Sequence, residues 1–343
     1  MLDDLKMIHN RDAEDSLGVA EKQWQQLQHD YQVTLPDFGE IRNVVLAGMG
    51  GSALPAVFLR SWPGTNVPFE IVRDYELPLY VGPNTLFISS SYSGNTEETL
   101  AALAAAEERQ AKIVVIAAGG KLMDQAKAKN YPLFAIPTGI QPRMSSFYFL
   151  AAFLQILEPL GLVPAGSIDE LRAAGEWLKD KPDAWRADVP TDQNPAKQLA
   201  LELIGKSVVV YSGPKLFPAA NKFKICLNEN AKNVAWVNYY PELNHNEFIG
   251  WSSHPVDKPY AVVEIRSNLE HPRVQKRFEV TEKLLSGQRP SPEVIVPQGE
   301  TLLHQLLWSA NFNDFVSLYT GLLNGLDPTP VELVEKFKVA LDE

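Results

Sequence analysis

The chain has 343 residues, with 42 acidic against 31 basic side chains and a formal charge of −11; its 45% hydrophobic and 21% charged content is that of a globular protein. The charge argues against a broad nucleic-acid surface, and no uncharged apolar run reaches the ~18 residues of a membrane helix. Cys226 is the single cysteine, which excludes an internal disulfide and a zinc cluster and fits a reducing cytosol; with no basic and apolar leader at residues 1–6, a cytoplasmic location is expected.

Residues 12–31 are polar-amphipathic and read as one helix leading into a first domain. Asn43-Val44-Val45-Leu46-Ala47 reads as a buried parallel strand, followed by Gly48-Met49-Gly50-Gly51-Ser52-Ala53 and a helix over 54–60. Gly48, Gly50 and Ala53 fit a dinucleotide fingerprint, and Glu70 lies near where a ribose-binding acid is expected, so a nicotinamide oxidoreductase is one reading. Strands near 69–72, 85–89 and 113–117 alternate with helical stretches, which implies a parallel sheet covered on both faces.

The stretch Ser89-Ser90-Ser91-Tyr92-Ser93-Gly94-Asn95-Thr96 follows an apolar strand and precedes an alanine-rich helix over 100–110. A strand, a hydroxyl-rich turn and a helix N-terminus bring backbone N–H groups, the helix dipole and serine hydroxyls to one point. The lysine-bearing loop of nucleotide hydrolases is absent, so the donors suit a compact phosphomonoester; a well-capped helix with spare serines is the competing reading. Residues 143–157 are apolar nearly all round and predict a buried helix or a subunit contact, with Arg143 in its first turn. A cation there opposes the helix dipole, which points to an anionic partner or to a salt bridge.

Pro182, Pro190 and Pro195 among charged residues predict a linker over 180–195, dividing the chain into domains at 1–185 and 186–343. Beyond it the pattern restarts: a strand at 207–211, the turn Ser212-Gly213-Pro214-Lys215, a helix through Ile225 and a strand at 260–265. A duplicated α/β unit is implied. The second half lacks a serine-rich turn, so one phosphate site per chain is expected.

Two polar clusters follow. Glu229 in Asn228-Glu229-Asn230 reads either as a general base held by amide hydrogen bonds or as an exposed helix residue. His245, between Asn244 and Asn246, reads as a proton carrier or a structural histidine, with Glu242 and Glu247 as competing acids.

Gly48-Met49-Gly50-Gly51-Ser52, Ser91-Tyr92-Ser93-Gly94-Asn95-Thr96, Pro142-Arg143, Asn228-Glu229-Asn230 and Asn244-His245-Asn246-Glu247, in that order, resemble the bifunctional phosphoglucose/phosphomannose isomerases, from about residue 40 onward. The resemblance implies an α/β fold of two sugar-isomerase (SIS) domains, each a flavodoxin-like parallel sheet between helices. It implies a cofactor-free, metal-free isomerase taking glucose 6-phosphate, and mannose 6-phosphate, to fructose 6-phosphate through an enediol. It assigns the phosphate to Gly50, Gly51, Ser52, Ser91, Ser93 and Thr96, the base to Glu229 and enediolate stabilisation to Arg143. His245 then aids ring opening in the partner's site of a homodimer. A site lysine is implied near the C-terminus, where Lys338 fits the pattern better than Lys336. A non-catalytic sugar-phosphate sensor would keep the serine-rich turn without needing Glu229, Arg143 or His245.

Overall fold

A computed structural model describes residues 1–253 and 259–341. The chain divides into two compact units: residues 22–177, and residues 1–21 together with 178–343. This differs from a division at 185/186, because the N-terminal 21 residues pack with the C-terminal unit. There Arg11 donates to the Leu322 carbonyl at 2.7 Å, Ser16 and Thr329 share a hydroxyl hydrogen bond at 2.7 Å, and Asp3 accepts from Thr191.

The single helix expected over 12–31 is two pieces, α2 (Ser16–Glu21) and a 3₁₀ segment, Gln23–Gln28, and a separate α1 (Leu5–Arg11) precedes them. Asp12 sets the start of α2 apart from α1. Its buried carboxylate accepts from the amides of Ser16 (2.8 Å) and Leu17 (2.9 Å), so a side chain takes donors that a continuous helix would use.

The N-terminal unit follows with β1 (Asn43–Ala47), α3 (Gly50–Ser61), β2 (Phe69–Val72), β3 (Thr85–Ser91), α4 (Glu97–Glu108), β4 (Lys112–Ala117), α5 (Gly120–Lys129), β5 (Leu133–Ala135), α6 (Ser146–Leu157) and α7 (Ser167–Leu178). The five strands are all parallel in the order β2-β1-β3-β4-β5. Both faces are covered, which is why Val44–Ala47 and the whole of β3 are buried rather than alternating. α3 begins at Gly50, four residues earlier than its apolar pattern indicates, since tertiary packing overrides glycine's poor helix propensity. Arg143 lies in a 3₁₀ turn, Pro142–Ser145, just ahead of α6 and not inside it.

The stretch 180–195 is ordered packing rather than an open linker. It holds two short 3₁₀ turns, and Trp185 stands edge-on to Trp308, Phe312 and Phe315. The C-terminal unit continues with α8 (Pro195–Leu203), β6 (Ser207–Ser212), α9 (Phe217–Glu229), β7 (Ala235–Tyr239), α10 (Glu247–Gly250), β8 (Tyr260–Ile265), α11 (Pro272–Leu284), β9 (Glu293–Ile295), α12 (Leu302–Leu323) and α13 (Glu332–Leu341). Its four parallel strands run β7-β6-β8-β9, the same order of first, second, third and fourth strand as in the N-terminal sheet. In each sheet the order reverses between the first and third strands, and the crevice outside their carboxyl ends is where such folds take ligands.

Candidate active site

In the N-terminal unit that crevice gathers the two turns singled out in the sequence. Ser52, in the first turn of α3, accepts the amide of Tyr92 on its hydroxyl at 2.9 Å, while Ser90 donates to the Ser52 carbonyl at 2.9 Å. The Ser91 and Thr96 hydroxyls bond each other at 2.8 Å, and Ser91 accepts the Gly94 amide at 3.1 Å. Asn95 fastens the turn from behind by accepting the Lys121 amide at 3.0 Å, and Gly94 takes φ +69°, a left-handed conformation that favours glycine. Thr96 stands at the N-cap of α4, yet its hydroxyl turns to Ser91 and not to the helix amides. That geometry favours the anion reading over the well-capped helix. Ser93 is exposed and accepts the Asn95 amide at 3.3 Å.

Arg143 belongs to the same cluster. A Cβ on Gly51 would come within 2.8 Å of the Pro142 carbonyl and 2.9 Å of the Arg143 amide, so the start of α3 lies directly on the Pro142–Arg143 turn. The Arg143 side chain is 1% exposed, and Gln141 accepts from its guanidinium at 3.3 Å. Gln141 went unnoticed in the sequence, although its position beside Pro142-Arg143 was the available signal. Six phosphate-site candidates and Arg143 thus come together in one unit: four hydroxyls, a run of helix N-terminal amides and a guanidinium.

Glu70 does not fit the ribose-acid reading. It is the second residue of β2, paired with Val45 below the strand ends, and its carboxylate is engaged by the Tyr80 hydroxyl.

The C-terminal unit carries the other candidates on separate elements. Glu229 is the last residue of α9 and half-buried, where the sequence placed it beyond a helix ending at Ile225. His245 is exposed on a 3₁₀ turn, Glu242–His245, and both neighbours pin it. Asn244 donates to Thr281 of α11 at 3.0 Å and accepts from Arg277 at 3.1 Å, while Asn246 accepts the Glu247 amide at 2.6 Å. The backbone is fixed and the imidazole is presented outward. Of the competing acids, Glu247 has both oxygens engaged, one by the Tyr211 hydroxyl and one by Asn238 at 2.6 Å. Glu242 is exposed and accepts from Asn246 at 3.1 Å. Lys338 and Lys336 both lie on the exposed α13, paired to Glu335 at 2.7 Å and Glu332 at 3.6 Å of the same helix. Among the described residues, no three His, Cys, Asp or Glu side chains gather as a metal-binding group.

The corresponding crevice of the second sheet is filled. Glu270, 4% exposed, follows β8 as the serine-rich turn follows β3. Its carboxyl accepts the Lys215 amide at 2.8 Å and also the Leu216 amide, just ahead of α9. A Cβ on Gly213 would lie 2.3 Å from that carboxyl. A side chain of the chain itself thus occupies the place of an anion. Burial pushes its pKa up, against the opposing pull of the two amides and Lys215. Sequence reasoning missed Glu270, and the absence of a serine-rich turn from the second half was the only hint.

Residues 192–341 match the family model of the bacterial phospho-glucose isomerase C-terminal SIS domain. A bifunctional phosphoglucose/phosphomannose isomerase of Caldicellulosiruptor bescii is 36% identical over 310 residues, covering 89% of this chain and 91% of that protein. The chain belongs to the bifunctional phosphoglucose/phosphomannose isomerase family. Another member, from Aquifex aeolicus, is 32% identical and covers 92% of this chain and 95% of its own. The crystal structure of a glucose-6-phosphate isomerase like protein from Thermus thermophilus superposes with a TM-score of 0.64 at 16% identity, covering 98% of both chains, and shows the shared fold. The family is one of enzymes, and nothing in these likenesses supports a non-catalytic sensor.

Proposed function

We propose that the chain interconverts glucose 6-phosphate and mannose 6-phosphate with fructose 6-phosphate, by proton transfer between C2 and C1 through an enediol. The observation that carries this reading is the single cluster of the Gly50-Gly51-Ser52 turn, the Ser91–Thr96 turn and the buried Arg143. Gly50, Gly51, Ser52, Ser91, Ser93 and Thr96 hold the phosphate, remote from the reacting carbons, and that binding energy orients C1 and C2. After ring opening, Glu229 takes the C2 proton, Arg143 stabilises the enediolate oxygen, and the proton is returned to C1. The carbon skeleton is neither oxidised nor reduced overall. C2 is planar in the intermediate, so both C2 epimers of the aldose funnel into one ketose.

Lys338, with Lys336 as the alternative, assists ring opening together with His245, which serves the partner's site in a homodimer. The enzyme works in the cytoplasm without metal or cofactor; no described helix is long and apolar enough to cross a membrane. The test is an assay of both aldose phosphates with and without chelator, followed by NMR of the products formed in D2O. Turnover of both epimers, unchanged by chelator and with deuterium entering C1 or C2, is expected. Glu229→Gln should lower kcat by more than ~100-fold while the fold is kept. Near-normal turnover in that variant would move the base elsewhere.

A further inference from the structure

The last turn of a helix is ordinarily its least constrained part, and Glu229 is the final residue of α9. Here that turn is held along its length by α12. Lys222 and Asp314 form a fully buried ion pair, and Cys226 donates to the same carboxylate at 3.1 Å. One turn further on, Asn230 donates from its buried amide to the Ser317 hydroxyl at 2.8 Å, and Ser317 in turn donates to the Asp314 carbonyl at 2.8 Å. Past the helix end, Asn324 donates to the Ala231 carbonyl at 2.9 Å.

These attachments leave α9 at 222, 226 and 230, which share one helical face. They meet α12 at 314 and 317, and Gly321 continues that row. A Cβ at Gly321 would lie 2.5 Å from the Asn230 carbonyl, so the end of α9 approaches α12 as closely as a glycine permits. A buried polar pair whose members are fully satisfied fixes one arrangement, because any shift leaves a donor or acceptor unpaired away from water.

We propose that Asn230, Ser317 and Gly321 are positioning residues for the base: they clamp the last turn of α9 so that the Glu229 carboxylate is presented at one place. The inference rests on Glu229 being the base, and it assigns the second asparagine of the Asn-Glu-Asn motif a role toward α12. A proton-transfer group displaced by ~1 Å loses rate on the order of 100-fold, whereas phosphate affinity resides in residues of the other unit.

The experiment compares Ser317→Ala and Gly321→Ala with Leu306→Val, a destabilising control in the buried N-terminal half of α12. Steady-state kinetics are measured well below each Tm, with the primary isotope effect on kcat for substrate deuterated at C2. The clamp variants should lose about 10- to 100-fold in kcat, with KM within about twofold and a larger isotope effect, because proton transfer becomes slower relative to the other steps. Ser317→Thr, which keeps the hydroxyl, should recover most of the loss. Leu306→Val should lower Tm without moving kcat or the isotope effect. If Ser317→Ala lowers Tm yet keeps kcat and its isotope effect, the clamp is structural only and the proposal is wrong. An active Glu229→Gln would overturn it together with the assignment of the base, so the two failures are distinguishable.

Discussion

Ser91 and Thr96 face each other at 2.8 Å beside the α4 N-terminus, with hydroxyl hydrogens free to turn toward an incoming oxyanion. Each hydrogen bond to a charged group is worth ~1.5–3 kcal/mol, so Ser91→Ala with Thr96→Ala should raise KM for glucose 6-phosphate by at least tens-fold and leave kcat nearly unchanged. An unaltered KM in the coupled assay would remove these hydroxyls from the phosphate site. Glu270 gives a second residue-scale expectation. Its pKa is raised in the folded state by burial, so the folded chain binds its proton more tightly than the unfolded chain. The stability this group contributes is therefore full below the unfolded carboxyl value, ~4.3, and is lost as pH rises through the folded value. Gln cannot ionise. The Tm of Glu270→Gln minus that of the wild type should become more positive between pH 4.5 and pH 8 in thermal melts, and a difference flat with pH would contradict this account.

At the scale of elements, the start of α3 and the Pro142–Arg143 turn lie too close together for any side chain at residue 51. Gly51→Ala must push one of them aside, disturbing the phosphate turn and the guanidinium together. Its kcat/KM should fall about 10- to 100-fold through both kcat and KM, unlike the purely KM effect of losing the hydroxyls. β1, β2, β3, β4, β6 and β8 were legible, chiefly because buried parallel strands write continuous apolar runs, as in Val44–Ala47 and Val208–Val210, whereas β5 and β9, three residues each, and the mostly part-exposed β7 went unread. The two turns of the proposed phosphate site were legible as turns because their residues are contiguous in sequence. What stayed hidden depends on distant partners. Trp185 packs on a helix more than 100 residues away, and Glu270 meets an amide 55 residues back along the chain. Periodicity carries no record of such pairings.

For the whole molecule, the proposed donation of His245 to the partner's site has a consequence for mixed dimers. Glu229→Gln and His245→Ala chains are each expected to be inactive. In a heterodimer of the two, one site receives both lesions and the other neither. Random reassociation should then restore about a quarter of wild-type activity, half of the dimers having one intact site of two. A mixture shown by mass measurement to contain heterodimers, yet inactive, would place His245 outside the partner's site.

Both sheets of this chain reverse strand order in the same way, and each therefore builds a place where an oxyanion can rest on helix-leading amides. In the second sheet that place is taken by the Glu270 carboxylate, and the proposed phosphate site lies in the first. Binding stoichiometry follows from that occupancy. Calorimetric titration should saturate at one hexose phosphate per chain, and inorganic sulfate should compete with substrate for that one place, with no second, weaker phase. Glu270→Gly would evict the tenant: sulfate should then raise the Tm of the variant beyond what the first place accounts for, whereas the wild type shows no such increment. On the proposed function, the duplicated scaffold holds one ligand per chain because its second receptor is supplied with a guest from within.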